Sequence, residues 1–404
     1  MSKKLSISDW NPAGAKVLVR VDFNVPLDGE RNITDETRIT AALPTIRYLT
    51  GKGAKVILMS HLGRPKGKTD PALSLRPVAD RLAELLEVPV KFAQDTVGPD
   101  ARRLAEGLVG GEVLLLENLR YNPGETANDP AFAGALAGLG EFFVNDAFGT
   151  AHRAHASTVG VPQALGGGRA GFLMEMELAH LGGMLAEPER PFVAILGGAK
   201  VSGKVDVILN LLDRVDTLLL GGGMIFTFFR MMGLNIGSSL LDVDSSDVVR
   251  EILAKARTAQ AELILPEDCL VADEFAADAK TEEVLVTDIP ADWMGLDIGS
   301  RSRERFSEVI STARSIFWNG PMGVFELPPF AGGTRAVGMA VAEATSAGAT
   351  SVVGGGDSVA AVNHLGLAER ISHISTGGGA SLEFMAGRTL PGVEALSPAE
   401  GFDR

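Results

Sequence analysis

The 404-residue chain has one cysteine, Cys269, so it forms no internal disulfide. A lone thiol fits a reducing cytoplasm, and its expected place is a small buried apolar position. Positive charge is also scarce. Thirty-seven Lys and Arg stand against 51 Asp and Glu, a formal net charge of −14. That balance argues against nucleic acid or anionic membrane as a main partner, while leaving room for a local basic pocket. Long apolar runs are missing as well. The most apolar stretch, residues 218–229, is interrupted by Gly221-Gly222-Gly223 and is too short to span a bilayer. Behind the two lysines of MSKKLSISDW there is no apolar segment, so no secretory signal is expected. There is no fixed-period repeat, no low-complexity tract and no large apolar stripe, and a monomer is expected.

What is present points to a globular chain of two domains. Hydrophobic residues make up 46% and charged residues 22%, enough apolar material for two cores. Short runs rich in Val, Ile and Leu alternate with helix-like segments. In the first half they fall at 16–21, 55–59, 88–92, 113–116 and 142–144. In the second they fall at 192–196, 217–220, 263–265, 315–318, 351–353 and 371–374. Continuous apolar runs of this length indicate strands covered on both faces, and the alternation indicates parallel βαβ units. The set divides around residues 166–191, a stretch of glycines, a helix-like segment and two prolines that reads as a connector. The expected architecture is α/β, with two doubly wound parallel-sheet domains.

Open parallel sheets bind ligands beyond the carboxyl ends of their strands, and here those ends carry the unusual residues. In the first half they are Asp22-Phe23-Asn24, His61-Leu62-Gly63-Arg64, Asn118-Leu119-Arg120 and the segment leading to Arg153, with Arg38 nearby. Arginine's planar fork suits bidentate contact with carboxylate and phosphate, so these residues imply a small, multiply anionic ligand. In the second half the strands end in glycine: Gly197-Gly198-Ala199-Lys200, Gly221-Gly222-Gly223, Asn319-Gly320-Pro321, Gly354-Gly355-Gly356-Asp357 and Thr376-Gly377-Gly378-Gly379. Glycine lets main-chain N–H groups approach a phosphate, and a following helix adds the positive end of its dipole. Asp357, placed before a helix, is either a plain N-cap or a carboxylate for a magnesium ion that stays mostly on nucleotide phosphates and water.

Two motifs mislead. Residues 198–204 match G-x-x-x-x-G-K, yet Val205 stands where the magnesium-binding hydroxyl of a phosphate loop belongs. Residues 166–171 match G-x-G-x-x-G without a convincing strand before them, which argues against a dehydrogenase. His152 and His155, three residues apart, lack an acidic or cysteine partner at helical spacing and read as structural or substrate-side residues.

The runs RVDFNVP (20–26), HLGRP (61–65), LENLR (116–120), NDAFGTAHRAHAS (145–157), WNGPMGVFE (318–326), GGGD (354–357) and STGGGASLE (375–383) closely resemble the phosphoglycerate kinase family, in order along nearly the whole chain. The resemblance implies reversible phosphoryl transfer between 1,3-bisphosphoglycerate and ADP, giving 3-phosphoglycerate and ATP with Mg²⁺, by direct in-line transfer after hinge-bending closure. By residue-wise matching it implies that Asp22, Phe23, Asn24, Arg38, His61, Leu62, Gly63, Arg64, Arg120 and Arg153 hold the phosphoglycerate. It assigns the nucleotide to Lys200, Lys204, Gly295, Asn319, Glu326 (on the ribose), Gly354, Gly355, Gly356, Asp357 and Ser358. Arg38, Lys200, Gly377 and Gly378 would surround the phosphoryl group in flight, and Asp357 would meet the magnesium. The implied domains are 1–171 for phosphoglycerate, a connecting helix and linker at 172–190, 191–388 for nucleotide, and a tail at 389–404 returning to the first domain. The connecting helix carries Met176 where the family often has lysine. A non-catalytic nucleotide-binding regulator on the same fold is the alternative.

Overall fold

The structure, a computed structural model, describes residues 3–8 and 10–399. It contains two six-stranded parallel sheets and a small three-stranded antiparallel sheet. The chain divides into two compact units, Met1–Ala179 with Thr389–Arg404, and His180–Arg388.

In the first unit the sheet comprises β1 (Lys16–Arg20), β2 (Lys55–Met59), β3 (Val90–Phe92), β4 (Val113–Leu115), β5 (Phe142–Asn145) and β6 (Arg169–Ala170). Their order is β3-β4-β2-β1-β5-β6. Val17, Leu18, Val19, Val56, Ile57 and Leu58 are fully buried, as expected of strands sandwiched between helices. Register brings the strand ends level: Arg20 pairs with Met59 on one side and Asn145 on the other, and Leu58 pairs with Leu115. The segments leaving β1, β2, β4 and β5 therefore emerge along one edge. Between β1 and β5 the winding reverses, which opens a crevice there.

The second unit repeats the plan with β7 (Phe192–Leu196), β8 (Thr217–Leu220), β9 (Glu262–Ile264), β13 (Ser315–Asn319), β14 (Thr350–Gly354) and β15 (His373–Ile374), ordered β15-β14-β13-β7-β8-β9. Asn319 pairs with Leu196 and with Gly354, and Leu196 with Leu220, so the glycine runs also leave from one level. The reversal lies between β7 and β13.

All eleven expected strands are present, several with trimmed ends. Two features go beyond them. The antiparallel sheet of β10 (Asp268–Ala272), β11 (Thr281–Leu285) and β12 (Met294–Ile298) belongs to the second unit. The stretch read as a connector also contributes β6, which pairs with β5. No glycine-rich dinucleotide fold accompanies the G-x-G-x-x-G match, because residues 161–164 are helical rather than a strand. Cys269 is buried in β10, and burial pushes its thiol up to about 12. Among the described residues no helix is long and apolar enough to cross a membrane.

Candidate active site

Arg20, the last residue of β1, is fully buried. An isolated guanidinium is costly to desolvate, so its donors must be used. Its Nε donates to Ser157 Oγ at 2.8 Å, Nη2 donates to His61 Nδ1 at 3.1 Å, and Nη1 donates to the Val21 carbonyl. Burial lowers its pKa, opposed by the fields of Glu125 and Asp22.

Around this buried charge the expected anion-binding residues assemble. Arg38, from the helix Thr37–Gly51, donates from Nη1 to Asp22 Oδ2 at 2.6 Å. The same aspartate lies 3.9 Å from His61 Nδ1 through Oδ1. The Phe23 amide donates to Ser60 Oγ at 2.9 Å, and Asn24 Oδ1 accepts from the Gly63 amide at 2.8 Å. Asn118 pins the segment after β2 by accepting from the Leu62 amide and donating to its carbonyl. Arg120 Nη1 donates to the Gly63 carbonyl at 2.8 Å, while its buried Nε has no hydrogen-bond partner. Burial, with Arg20 and Arg153 nearby, lowers the Arg120 pKa to about 10. Burial first, and then Arg20, Arg120, Arg38 and His155, hold His61 well below the usual imidazole range. It is a neutral ring at pH 7. Arg153 is exposed and shares the neighbourhood of Arg120 and His155. Arg64 is exposed, and its side chain joins none of these hydrogen bonds.

In the second unit a cavity of about 630 Å³ lies beyond the strand ends. Gly295, Glu326 and Asp357 line it, together with Gly198, Gly222 and Gly223, and its walls include Phe226, Leu240, Phe275, Leu296 and Val324. Such a mainly apolar slot with a few polar groups suits the base and sugar of a nucleotide. Lys204 Nζ donates to Asn319 Oδ1 at 2.5 Å, and burial lowers its pKa to about 8 against the opposing field of Asp357. Asn319 Nδ2 is buried without a partner, 2.8 Å from where a Cβ on Gly355 would sit. Ser358, also buried, accepts from the Gly320 amide at 2.5 Å, so its hydroxyl ties two loops together. Gly356 begins the helix Gly356–His364, and Gly378 precedes the helix Gly379–Met385. The Gly377 amide donates to Ser375 Oγ at 3.2 Å. Lys200 is exposed, and its field is felt by Asp242. Lys204 directly precedes the helix Val205–Leu211, so strand, glycine loop and helix are in place without the hydroxyl that a phosphate loop needs.

Many of these glycines answer to the protein rather than to a ligand. A Cβ on Gly222, which has φ +71°, would stand 2.5 Å from the Gly198 nitrogen and 2.8 Å from the Pro321 carbonyl. One on Gly320, at φ +101°, would collide with the Gly197 carbonyl. At Gly356, by contrast, nothing lies within 4 Å of the added atom. That difference separates glycines needed for loop packing from those that leave space.

Sequence reading did not single out four buried residues. Arg20 and Glu125 are fully buried beside the cluster of Arg38, His61 and Arg120, in contact through Ser157. A charged residue within an otherwise apolar strand was the available signal for Arg20. Asp146 and Asp297 are buried carboxylates whose pKa burial raises to about 7. Asp146 accepts from the Leu173 and Met174 amides at the start of the helix Phe172–Ala186, and Asp297 accepts from the Gly333 amide and lines the cavity.

The model of the family described as phosphoglycerate kinase matches residues 7–388. The phosphoglycerate kinase of Chloroflexus aurantiacus strain J-10-fl is 58% identical over 402 residues, spanning 99% of this chain and 100% of that protein. That of Chlorobium phaeobacteroides strain BS1 is 55% identical over 395 residues, spanning 98% and 100%. Among solved structures, phosphoglycerate kinase from Coxiella burnetii superposes with a TM-score of 0.87 at 39% identity, covering 97% of this chain and 98% of that one. The enzyme from Pyrococcus horikoshii OT3 gives 0.84 at 34%, with the same coverage.

Proposed function

The chain belongs to the phosphoglycerate kinase family, and from that premise we propose how its residues divide the work. The reaction is reversible transfer of a phosphoryl group between 1,3-bisphosphoglycerate and ADP, giving 3-phosphoglycerate and ATP. Phosphoglycerate sits on the first unit, held by Arg38, Arg120, Arg153, Arg64 and His61, with Asp22 and Asn24 on its hydroxyl side. Nucleotide sits on the second, with its base and ribose in the slot that reaches Glu326 and its phosphates near Lys204 and the main chain around Gly356 and Gly378. The observation that carries this reading is the buried, unpartnered Arg120 Nε in a pocket that already gathers Arg20, Arg38 and His61. A guanidinium donor left unused in that place favours an anion.

Asp357 lines the nucleotide cavity within reach of Lys204's field, and a single carboxylate fits a magnesium that arrives on the nucleotide. Among the described residues no three His, Cys, Asp or Glu side chains gather into a metal cage, so the ion's other ligands would be phosphate and water. Magnesium would supply charge neutralisation on the phosphate oxygens. The rest falls to the protein. The attacking group is already a carboxylate, so no general base is needed, and neutral His61 serves as a hydrogen-bond donor. Arg38, Lys200 and the main-chain N–H groups at Gly377 and Gly378 offset the charge on the phosphoryl group in transit. The two ligands are held by different units, so both together draw the units closed and shed water from the acyl phosphate. Scattering in solution should show a smaller radius of gyration with both ligands than with either; an unchanged value counts against closure. A cytoplasmic monomer completes the reading.

Calorimetry on two variants tests the division of labour. Arg120→Ala should weaken 3-phosphoglycerate roughly 10-fold or more with Mg-ATP affinity intact, and Lys204→Ala should do the reverse. Variants that lose both ligands equally, or neither, would overturn it.

A further inference from the structure

Glu125 is fully buried and lies in the segment after β4, 105 residues along the chain from Arg20. Its two oxygens take two donors from one residue: Ser157 Oγ–H at 2.6 Å and the Ser157 amide at 3.0 Å. With its proton committed to Glu125, the hydroxyl can offer only lone pairs to Arg20 Nε, 2.8 Å away. A guanidinium has donors and no acceptor. Its Nη2, 3.1 Å from His61 Nδ1, therefore requires that ring nitrogen to accept. The Asp22 carboxylate, at 3.9 Å, is too far from Nδ1 to compete. Every link in the series has one direction.

We propose that Glu125 and Ser157 are positioning residues that act through Arg20 to hold His61 in the Nε2–H tautomer, so that the free ring nitrogen presents a proton to the anionic substrate. The inference rests on the substrate site proposed above and names the device that sets the polarity of one of its groups. A neutral imidazole with Nε2–H can donate to a carboxylate or phosphate oxygen; the other tautomer would aim a lone pair at it. Protonating Nδ1 would set N–H against N–H at Arg20, which keeps the ring neutral beside three guanidiniums. The carboxylate of Glu125 also offsets the buried charge of Arg20, so the same group serves charge and direction.

Glutamine cannot replace it. An amide has one acceptor oxygen and one donor nitrogen, whereas Ser157 presents two donors. Either the amide nitrogen faces the Ser157 N–H, or it donates to Oγ and turns the hydroxyl proton toward Arg20 Nε. In the first case Ser157 is pushed off its main-chain anchor, and in the second Arg20 Nε loses its acceptor; either way the guanidinium is no longer fixed where Nη2 meets His61 Nδ1.

The test uses the full chain with ¹⁵N-labelled histidine. In the wild type, His61 should report an unprotonated Nδ1 and a protonated Nε2 from pH 5.5 to 8, and the Nε2 signal should move on adding 3-phosphoglycerate. In Glu125→Gln and Ser157→Ala the tautomers should mix, and KM for 3-phosphoglycerate should rise about 10-fold with kcat within about twofold and KM for ATP unchanged. Ser157→Thr, which keeps the hydroxyl, should restore both readouts. Ser157→Ala serves should Glu125→Gln fail to fold. An Nδ1–H tautomer in the wild type, or an unaltered tautomer in both variants, overturns the proposal. A wild-type Nε2 signal indifferent to 3-phosphoglycerate instead overturns the substrate site on which it rests.

Discussion

The first unit meets solvent at its strand ends with charged side chains, whereas the second meets it with glycine and main-chain amides. In the first, three of the cations are held by partners within the protein: Arg38 by Asp22, Arg20 by Ser157 and His61, Arg120 by a carbonyl. In the second, the loops lock onto one another, with the Gly198 amide on the Pro321 carbonyl and the Gly222 amide on the Met322 carbonyl. Side-chain forks can be aimed, which suits a small ligand with several charges. Loops packed backbone to backbone give a rigid bed, which suits a larger ligand that brings its own metal. The same doubly wound sheet supports both, so the chemistry resides in the loops that leave its strands.

The comparison can be broken most forcefully at Arg38. If it neutralises the group in flight, Arg38→Ala should lower kcat by ~10³-fold or more in an assay coupling ATP consumption to 3-phosphoglycerate. A loss confined to KM would make it a ground-state ligand and bring the first unit closer to a simple anion trap.

A second pair of variants sharpens the role of glycine. Gly320→Ala places a methyl group at φ +101° against the Gly197 carbonyl and should cost about 3 kcal/mol or more in chemical unfolding. Gly356→Ala, with nothing within 4 Å, should leave stability within about 1 kcal/mol while raising KM for ATP. Equal effects on stability would erase the distinction between packing and space-giving glycines.

The smallest effect concerns Lys204. Burial lowers its pKa to about 8 from 10.5, so between those values the folded chain binds fewer protons than the unfolded one. Stability linked to this group therefore rises with pH across that window. In the folded chain the ammonium is lost mainly between pH 7 and 9, and over that range Mg-ATP affinity should weaken by up to roughly tenfold by titration calorimetry. Lys204→Arg, charged throughout, should flatten that profile.

The strand set was readable because apolar runs in a doubly covered sheet are nearly continuous. The antiparallel sheet was not, because β11 (TEEVL) is largely exposed and polar, with little apolar signal to mark it. The two-residue β6 is too short for any periodicity. His61 and Arg120 could be picked out because each lies at or near a strand end in a recognisable run, whereas Arg38, in the helix Thr37–Gly51, lies in none of those runs. Glu125 could not, since its importance comes from tertiary contact with Ser157, and a glutamate in PGETA reads as an ordinary exposed helix residue. The glycine runs were legible as loops, but which of them yield to packing depends on neighbours far along the chain.

Near its end the chain returns to the first unit. Leu390 and Val393 are completely buried, Asn145 Nδ2 donates to the Gly392 carbonyl at 3.1 Å, and the Leu5 amide donates to the Ser397 carbonyl at 2.8 Å. During synthesis, the ribosome would deliver every residue of the second unit before these closing pieces emerge. The half that is made first is therefore the last to be finished, and until then the Asn145 amide at the end of β5 awaits a carbonyl 247 residues downstream.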